Sequence, residues 1–186
     1  MQGREILVAV TGGIAAYKTA FLVSRLVQAQ AGVSVMMTEG AEKFVGPTTF
    51  AALSGRSVAT RSFEPERFPL GAHIERTRAI DLMVVAPATA DFLAKAAHGI
   101  ADDLVSTAYL ASPAPVLVAP AMNSRMWEHP AVQRNVATLR NDGVTFVDPE
   151  PGWLSCRDTG SGRMADPERI LEAIAARLAS LPERSA

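Results

Sequence analysis

Five short apolar runs punctuate the chain: EILVAV (5–10), VSVMMT (33–38), DLMVVAPA (81–88), PVLVAPA (115–121) and VTFVD (144–148). Their hydrophobicity is continuous rather than alternating, the pattern of strands covered on both faces, as in a parallel sheet. Helical patterns separate them. Residues 14–31 carry Ala16, Ala20, Val23 and Val27 at helical spacing, and 89–111 are rich in Ala and Leu. Residues 130–142 open on Pro130, a favoured first helical residue. This alternation predicts a doubly wound α/β sheet, with right-handed crossovers aligning the strand C-termini along one edge, where ligands bind. Two segments break the rhythm. Residues 61–78 hold Pro65, Pro69, Gly71 and His73, and residues 148–167 hold Pro149, Pro151, Pro167, Gly152, Gly160, Gly162 and Cys156. A segment as long as the second is expected to be a functional lid or disordered.

Between the first strand and first helix lies TGGIAAYKT (11–19). It fits the phosphate loop G-x-x-x-x-G-K-[ST] from Gly12 to Thr19, except that Tyr17 stands where the second glycine wraps the phosphates. It fits the dinucleotide pattern G-x-G-x-x-G/A from Thr11 to Ala16, except that Thr11 replaces the glycine of the tight turn. Glu39, ending the second strand, favours the dinucleotide reading. A helix start that simply needs small residues is the third reading. A single phosphate, as in a mononucleotide flavin, asks least of the loop, and a helix N-terminus favours such an anion by about 0.3–1 kcal/mol.

Composition narrows the class. The 186 residues suit one domain, taken as 1–180 with a frayed tail at 181–186. A content of 48% hydrophobic and 20% charged residues is that of a globular protein in water, and a net charge of −1 gives no broad attraction to nucleic acid or an anionic membrane. No apolar run serves as a signal peptide or approaches the roughly 20 residues of a membrane span, so a cytoplasmic protein is expected. One cysteine excludes an intramolecular disulfide and a cysteine-rich zinc site, and the three histidines lack metal-ligand spacing, so no metal is expected.

Other residues carry candidate chemistry. Asn123, in PAMN at the end of the fourth run, either caps the helical turn SRMW or presents its amide NH₂ to a substrate carboxylate. His73, in HIE, is either a packing residue or an acid–base group, because imidazole titrates near neutral pH. Thr89 or Asp91 of PATADF caps a helix or contacts a flavin. Cys156 lies on the long loop, where a thiol can meet a ligand and give up a proton.

Together GGIAAYK, HIE, PATAD, AHGIADDL, PAMNSRMW and GWLSCRDTGSGRMADP, spread from about Ile6 to Pro167, resemble the motifs of the homo-oligomeric flavin-containing cysteine decarboxylases. Within that family they look like the phosphopantothenoylcysteine decarboxylases of coenzyme A synthesis. The resemblance implies a three-layer flavodoxin-like, Rossmann-like fold with FMN bound at subunit contacts in trimers or assemblies of trimers. It places Gly12, Gly13, Ile14, Thr38, Glu39, Gly40, Thr89, Ala90, Asp91, Phe92 and Ala121 at the flavin. It makes His73 catalytic, assigns the substrate carboxylate to Asn123 beside Met122, and puts Cys156 on a loop closing over substrate. The implied chemistry is flavin oxidation of a cysteine thiol, loss of CO₂, and re-reduction of the enethiol with a proton from Cys156.

Two departures from the family pattern stand out. Asp91 stands where many members carry asparagine. Arg157 stands where many carry glycine, and its charge suits the substrate phosphate. Family enzymes are often fused to a phosphopantothenate–cysteine ligase, so the chain is expected to be a stand-alone decarboxylase or one domain of a bifunctional protein. The rival readings are a peptidyl-cysteine decarboxylase of antibiotic pathways, which stops at the enethiol and needs no such cysteine, and a non-catalytic flavoprotein regulator of a phosphatase. A flavin prenyltransferase does not predict the set His73, Asn123 and Cys156.

Overall fold

In the computed structural model, residues 1–182 are described, and 183–186 of the expected tail lie outside the described residues. The first half of the chain runs β1 (Glu5–Val10), α1 (Ala16–Gln28), β2 (Gly32–Met37), α2 (Glu39–Glu42), α3 (Pro47–Ser54), α4 (Ala72–Thr77), β3 (Leu82–Ala88) and α5 (Ala90–His98). The second half adds α6 (Leu104–Ala111), β4 (Val116–Pro120), α7 (Ser124–Trp127), α8 (Pro130–Asn141), β5 (Thr145–Phe146), β6 (Glu150–Trp153), β7 (Thr159–Arg163) and α9 (Pro167–Ala179). β1 to β5 form one parallel sheet in the order β2-β1-β3-β4-β5. The strand order reverses between β1 and β3, the switch point at which sheets of this kind open a crevice.

The apolar runs form strands because both pleat faces are covered. Ile6, Val8 and Val10 pack with Leu22, Val23 and Leu26 of α1, Phe50 of α3 and Ile170 and Ile174 of α9. Leu7, Ala9, Met83 and Val85 face the other layer, with Ala72 of α4, Leu93 of α5, Val105 of α6 and Leu139 of α8. The result is the predicted three-layer α/β architecture.

Three local features differ from the sequence reading. The 89–111 pattern is two helices, because Gly99 takes a left-handed φ of 67° after α5 and Asp103 starts α6 with a capping box on Ser106. Segment 61–78 ends in α4. The long loop contains an antiparallel hairpin, β6 with β7.

The N-terminal edge of the sheet is tied to the end of the chain. Arg4 bonds Asp81 at 3.2 Å and donates to the carbonyls of Leu178, Leu181 and Pro182, closing the C-terminus of α9 over the start of β1.

Candidate functional site

The four loops that hold the candidate flavin residues and Asn123 leave the C-terminal edge of the parallel sheet, so the strand order sets them side by side. The order is 38–40, 11–14, 89–92 and 121–123. Close contacts join each to the next. A Cβ added at Gly12 would stand 3.1 Å from the Gly40 backbone, and one at Gly13 would stand 3.6 Å from Pro87. Two backbones come close at Gly12, and a side chain there would force the Gly40 backbone to give way. The amide of Ala121 donates to Ala88 at 3.0 Å.

Thr11, which breaks the dinucleotide pattern, has a structural task. Pro87 has no N–H for the sheet, and the β3–β4 register shifts there. Thr11 Oγ1 donates to the Pro87 carbonyl at 2.7 Å and accepts from the Thr89 amide at 3.1 Å. Thr19 Oγ1 donates to the Ala86 carbonyl at 2.8 Å. These side chains satisfy buried backbone groups that the ladder leaves over.

Lys18 does not behave as a phosphate-loop lysine. It is bonded to the Met164 carbonyl at 3.2 Å and to Asp166 at 2.8 Å, and its ammonium holds the Asp166 carboxyl below the ordinary carboxylate range. Tyr17 is exposed. The start of α1 has no acid in its first turn, and its Ala16 and Lys18 amides donate to the Gly13 and Ala15 carbonyls at 2.9 Å each. Ile14 is exposed beside it. Thr38 caps α2 by accepting from Ala41 at 3.2 Å, and with Glu39, Thr60, Ser62 and Asp103 it lines an open cleft of about 210 Å³.

Thr89 is the cap of α5, accepting from the amide of Phe92 at 3.3 Å. Ala90 opens that helix, and the Phe92 side chain turns into the core, edge-on to Tyr109. Asp91 points outward to Lys95 at 3.1 Å, and Lys95 also meets Asp102 and Asp103 at 3.0 Å each. Burial alone would lower the Lys95 pKa, but the three carboxylates raise it well above the ordinary lysine value. Asp91 is an exposed acid in the first turn of α5, a position that favours a carboxylate.

Asn123 takes the capping role that its sequence context allowed, and its amide NH₂ points elsewhere. Its Oδ1 accepts from the Arg125 amide at 2.9 Å, capping α7, and this fixes the amide orientation. The other end, Nδ2, is left to donate and lies 3.3 Å from Cys156 Sγ. Cys156 is exposed at the hairpin tip. Beside it Arg157 takes φ 66°, the left-handed region that glycine adopts at lower cost. The amide of Arg157 donates to Leu154 at 2.9 Å, holding the turn.

The hairpin docks on the PAMN segment through Gly160 and Gly162, whose role sequence reasoning missed. A Cβ at Gly160 would stand 2.3 Å from Ser124 Oγ, and one at Gly162 would stand 2.4 Å from the Met122 carbonyl. The alternation of GSG on one strand face was the available signal. Met122 donates its amide to the Gly162 carbonyl at 2.9 Å.

His73 stands apart. It is the second residue of α4, packed on Gly71, and its buried Nδ1 has no hydrogen-bond partner. Among the described residues no hydrogen bond joins it to Asn123 or Cys156. The other histidines have local tasks: His98 meets the Ala94 carbonyl and His129 caps α8.

Known proteins resemble the chain over nearly its whole length. Coenzyme A biosynthesis bifunctional protein CoaBC of Bacillus subtilis (strain 168) is 48% identical over 172 residues, which are 92% of this chain and 42% of that protein. The CoaBC protein of Escherichia coli (strain K12) is 45% identical over the same shares. The chain therefore spans less than half the length of these relatives. A PPC decarboxylase cysteine-to-serine mutant complexed with pantothenoylaminoethenethiol superposes with a TM-score of 0.85 at 29% identity, covering 95% of this chain and 99% of that one. The FMN-dependent cysteine decarboxylase SpaF gives 0.82 at 34% identity, covering 95% and 96%. Residues 1–179 match the Flavoprotein family, and with these relatives and the shared fold the chain belongs to that family.

Proposed function

We propose that the protein is an FMN-dependent decarboxylase that converts 4′-phosphopantothenoylcysteine to 4′-phosphopantetheine in coenzyme A biosynthesis. The observation that carries this reading is the 3.3 Å approach of Asn123 Nδ2 to Cys156 Sγ beside the glycine-lined edge. One side chain offers an amide donor to a carboxylate, and the other a proton to the carbon chain left after CO₂ departs. The naming of the 48% identical relative for coenzyme A biosynthesis supports the same substrate.

The fit to FMN rests on the chain's own residues. Gly12 and Gly40 bring two bare backbones side by side at the strand edge, and in the turn before α1 the amides of Ile14 and Ala15 donate no hydrogen bond among the described residues, which leaves them for one phosphate. Gly12, Gly13 and Ile14 would hold the phosphate, Thr38, Glu39 and Gly40 one flank, and Thr89, Ala90, Asp91, Phe92 and Ala121 the other. When bound, FMN takes two electrons from the substrate thiol, making a thioaldehyde that can accept the electron pair left by CO₂, and returns them afterwards. Asn123 orients the carboxylate toward departure, with Met122 beside it. Cys156 protonates carbon of the resulting enethiol and regains its proton from water. Arg157, one residue on, brings a positive charge toward the substrate phosphate. His73 serves as the acid–base group, with Nδ1 buried against Gly71. The reading carries with it a cytoplasmic homotrimer or assembly of trimers, working beside a phosphopantothenate–cysteine ligase, fused or separate.

The test is mass analysis of what the purified, flavin-loaded protein makes anaerobically from phosphopantothenoylcysteine. Phosphopantetheine is expected; an enethiol as final product would assign the peptidyl-cysteine type of reaction, and no CO₂ would assign a non-catalytic role. Acid-released cofactor is expected to run as FMN, and recovery of FAD or NAD would overturn the phosphate assignment.

The Lys18 contacts give a further prediction. Lys18→Met is expected to leave the flavin-to-protein ratio unchanged and to lower stability by about 0.5–1 kcal/mol through the lost pair with Asp166. Flavin absorbance and a denaturation midpoint measure the two effects. Loss of flavin from a folded variant would restore the phosphate-loop role.

A further inference from the structure

The described hydrogen bonds between the hairpin and the segment 122–128 run to both ends of α7. At the start, Asn123 Nδ2 meets Cys156 at 3.3 Å and the Met122 amide meets the Gly162 carbonyl at 2.9 Å. At the end, Ser161 Oγ donates to Glu128 Oε1 at 2.8 Å. Glu128 is the C-cap of the same helical turn that Asn123 caps at its start, and its amide bonds the Ser124 carbonyl. We propose that Glu128 and Ser161 form a latch that holds the hairpin over Asn123, and so act as positioning residues for Cys156. The inference rests on reading Cys156 as the proton donor.

The latch matters because few other contacts hold the hairpin to this segment. Asn123 Nδ2 gives up Cys156 when it turns to a substrate carboxylate. Gly160 and Gly162 bring bare backbone to the interface and grip nothing with side chains. Closure also has an internal opponent: Ser124 Oγ is buried under Gly160 without a hydrogen-bond partner, and opening would return it to water. Once substrate has taken Asn123, Ser161–Glu128 and Met122–Gly162 remain of the three bonds, and Ser161–Glu128 alone joins side chains. Sequence signals for it are slight, since serine and glutamate on exposed positions have no pattern of their own.

Glu128→Ala and Ser161→Ala test the latch, with Glu128→Gln as the conservative variant that keeps an acceptor oxygen. Two readouts are taken: the ratio of enethiol to phosphopantetheine in an anaerobic single turnover, and amide hydrogen exchange at Met122 and along 152–163. The alanine variants should raise the enethiol share roughly three- to tenfold, the effect of losing one exposed hydrogen bond. CO₂ release should stay at the parental rate, exchange should quicken, and Glu128→Gln should stay close to the parent. An unchanged product ratio in both alanine variants would overturn the positioning role, and unchanged exchange would overturn the latch itself. If the parent makes no phosphopantetheine, the proposed function fails, while the exchange data still decide whether the latch holds the hairpin.

Discussion

Asn123→Asp is expected to abolish CO₂ release while leaving the fold and the bound flavin in place. The structure separates the end of this side chain that caps α7 from the end proposed to meet the substrate carboxylate. Capping of α7 uses Oδ1, which accepts from Arg125, and aspartate caps a helix as well as asparagine does. The task at Nδ2 is lost, because a carboxylate has no hydrogen to donate. Removing a hydrogen bond to a charged group costs about 1.5–3 kcal/mol, and repulsion between two carboxylates adds to it, so turnover should fall by roughly a thousandfold or more. Flavin absorbance and circular dichroism establish that the variant is loaded and folded, and trapped CO₂ gives the rate. Near-parental release from a loaded variant would leave Asn123 as a helix cap and nothing more.

Cys156→Ser is expected to divide the reaction at its midpoint. The side chain lies at the exposed hairpin tip, so serine enters without disturbing the core. A hydroxyl is a far weaker acid than a thiol, so the proton required by the enethiol is withheld. Oxidation and loss of CO₂ take no proton from this residue and should continue. Under anaerobic conditions the variant should therefore accumulate bleached flavin and a product two hydrogens short of phosphopantetheine, visible together by absorbance and mass. Phosphopantetheine at the parental rate would make Cys156 structural. Absence of any CO₂ would place its action before decarboxylation.

The sheet was legible in the sequence because strands covered on both faces must be continuously apolar, and EILVAV and LMVVA carry that requirement openly. Its C-terminal edge followed from connectivity alone. The break in 89–111 was less visible, since Ala and Leu continue on both sides and Gly99 with the Asp103 cap is its main mark. The β6–β7 hairpin was hidden for a different reason. TGSGR has no alternating apolar face, because its backbone is held by α7 rather than by a buried side of its own. Long-range pairs were equally silent: nothing local to Lys18 announces Asp166, and nothing in PATADF announces that Lys95 gathers Asp91, Asp102 and Asp103. His73 and Asn123 were both readable as candidates, but whether a hydrogen bond joins them within one chain depends on packing that periodicity does not encode.

The clamp that Arg4 places on Pro182, Leu181 and Leu178 has a practical side. It brings the two ends of the described chain to one rim of the sheet, while Cys156 and the glycine-lined loops occupy the other. An affinity tag, a fluorescent reporter or a surface tether joined after Pro182 would thus leave the protein on the rim away from substrate. Immobilising the protein by that end should present its working edge outward, free of the support.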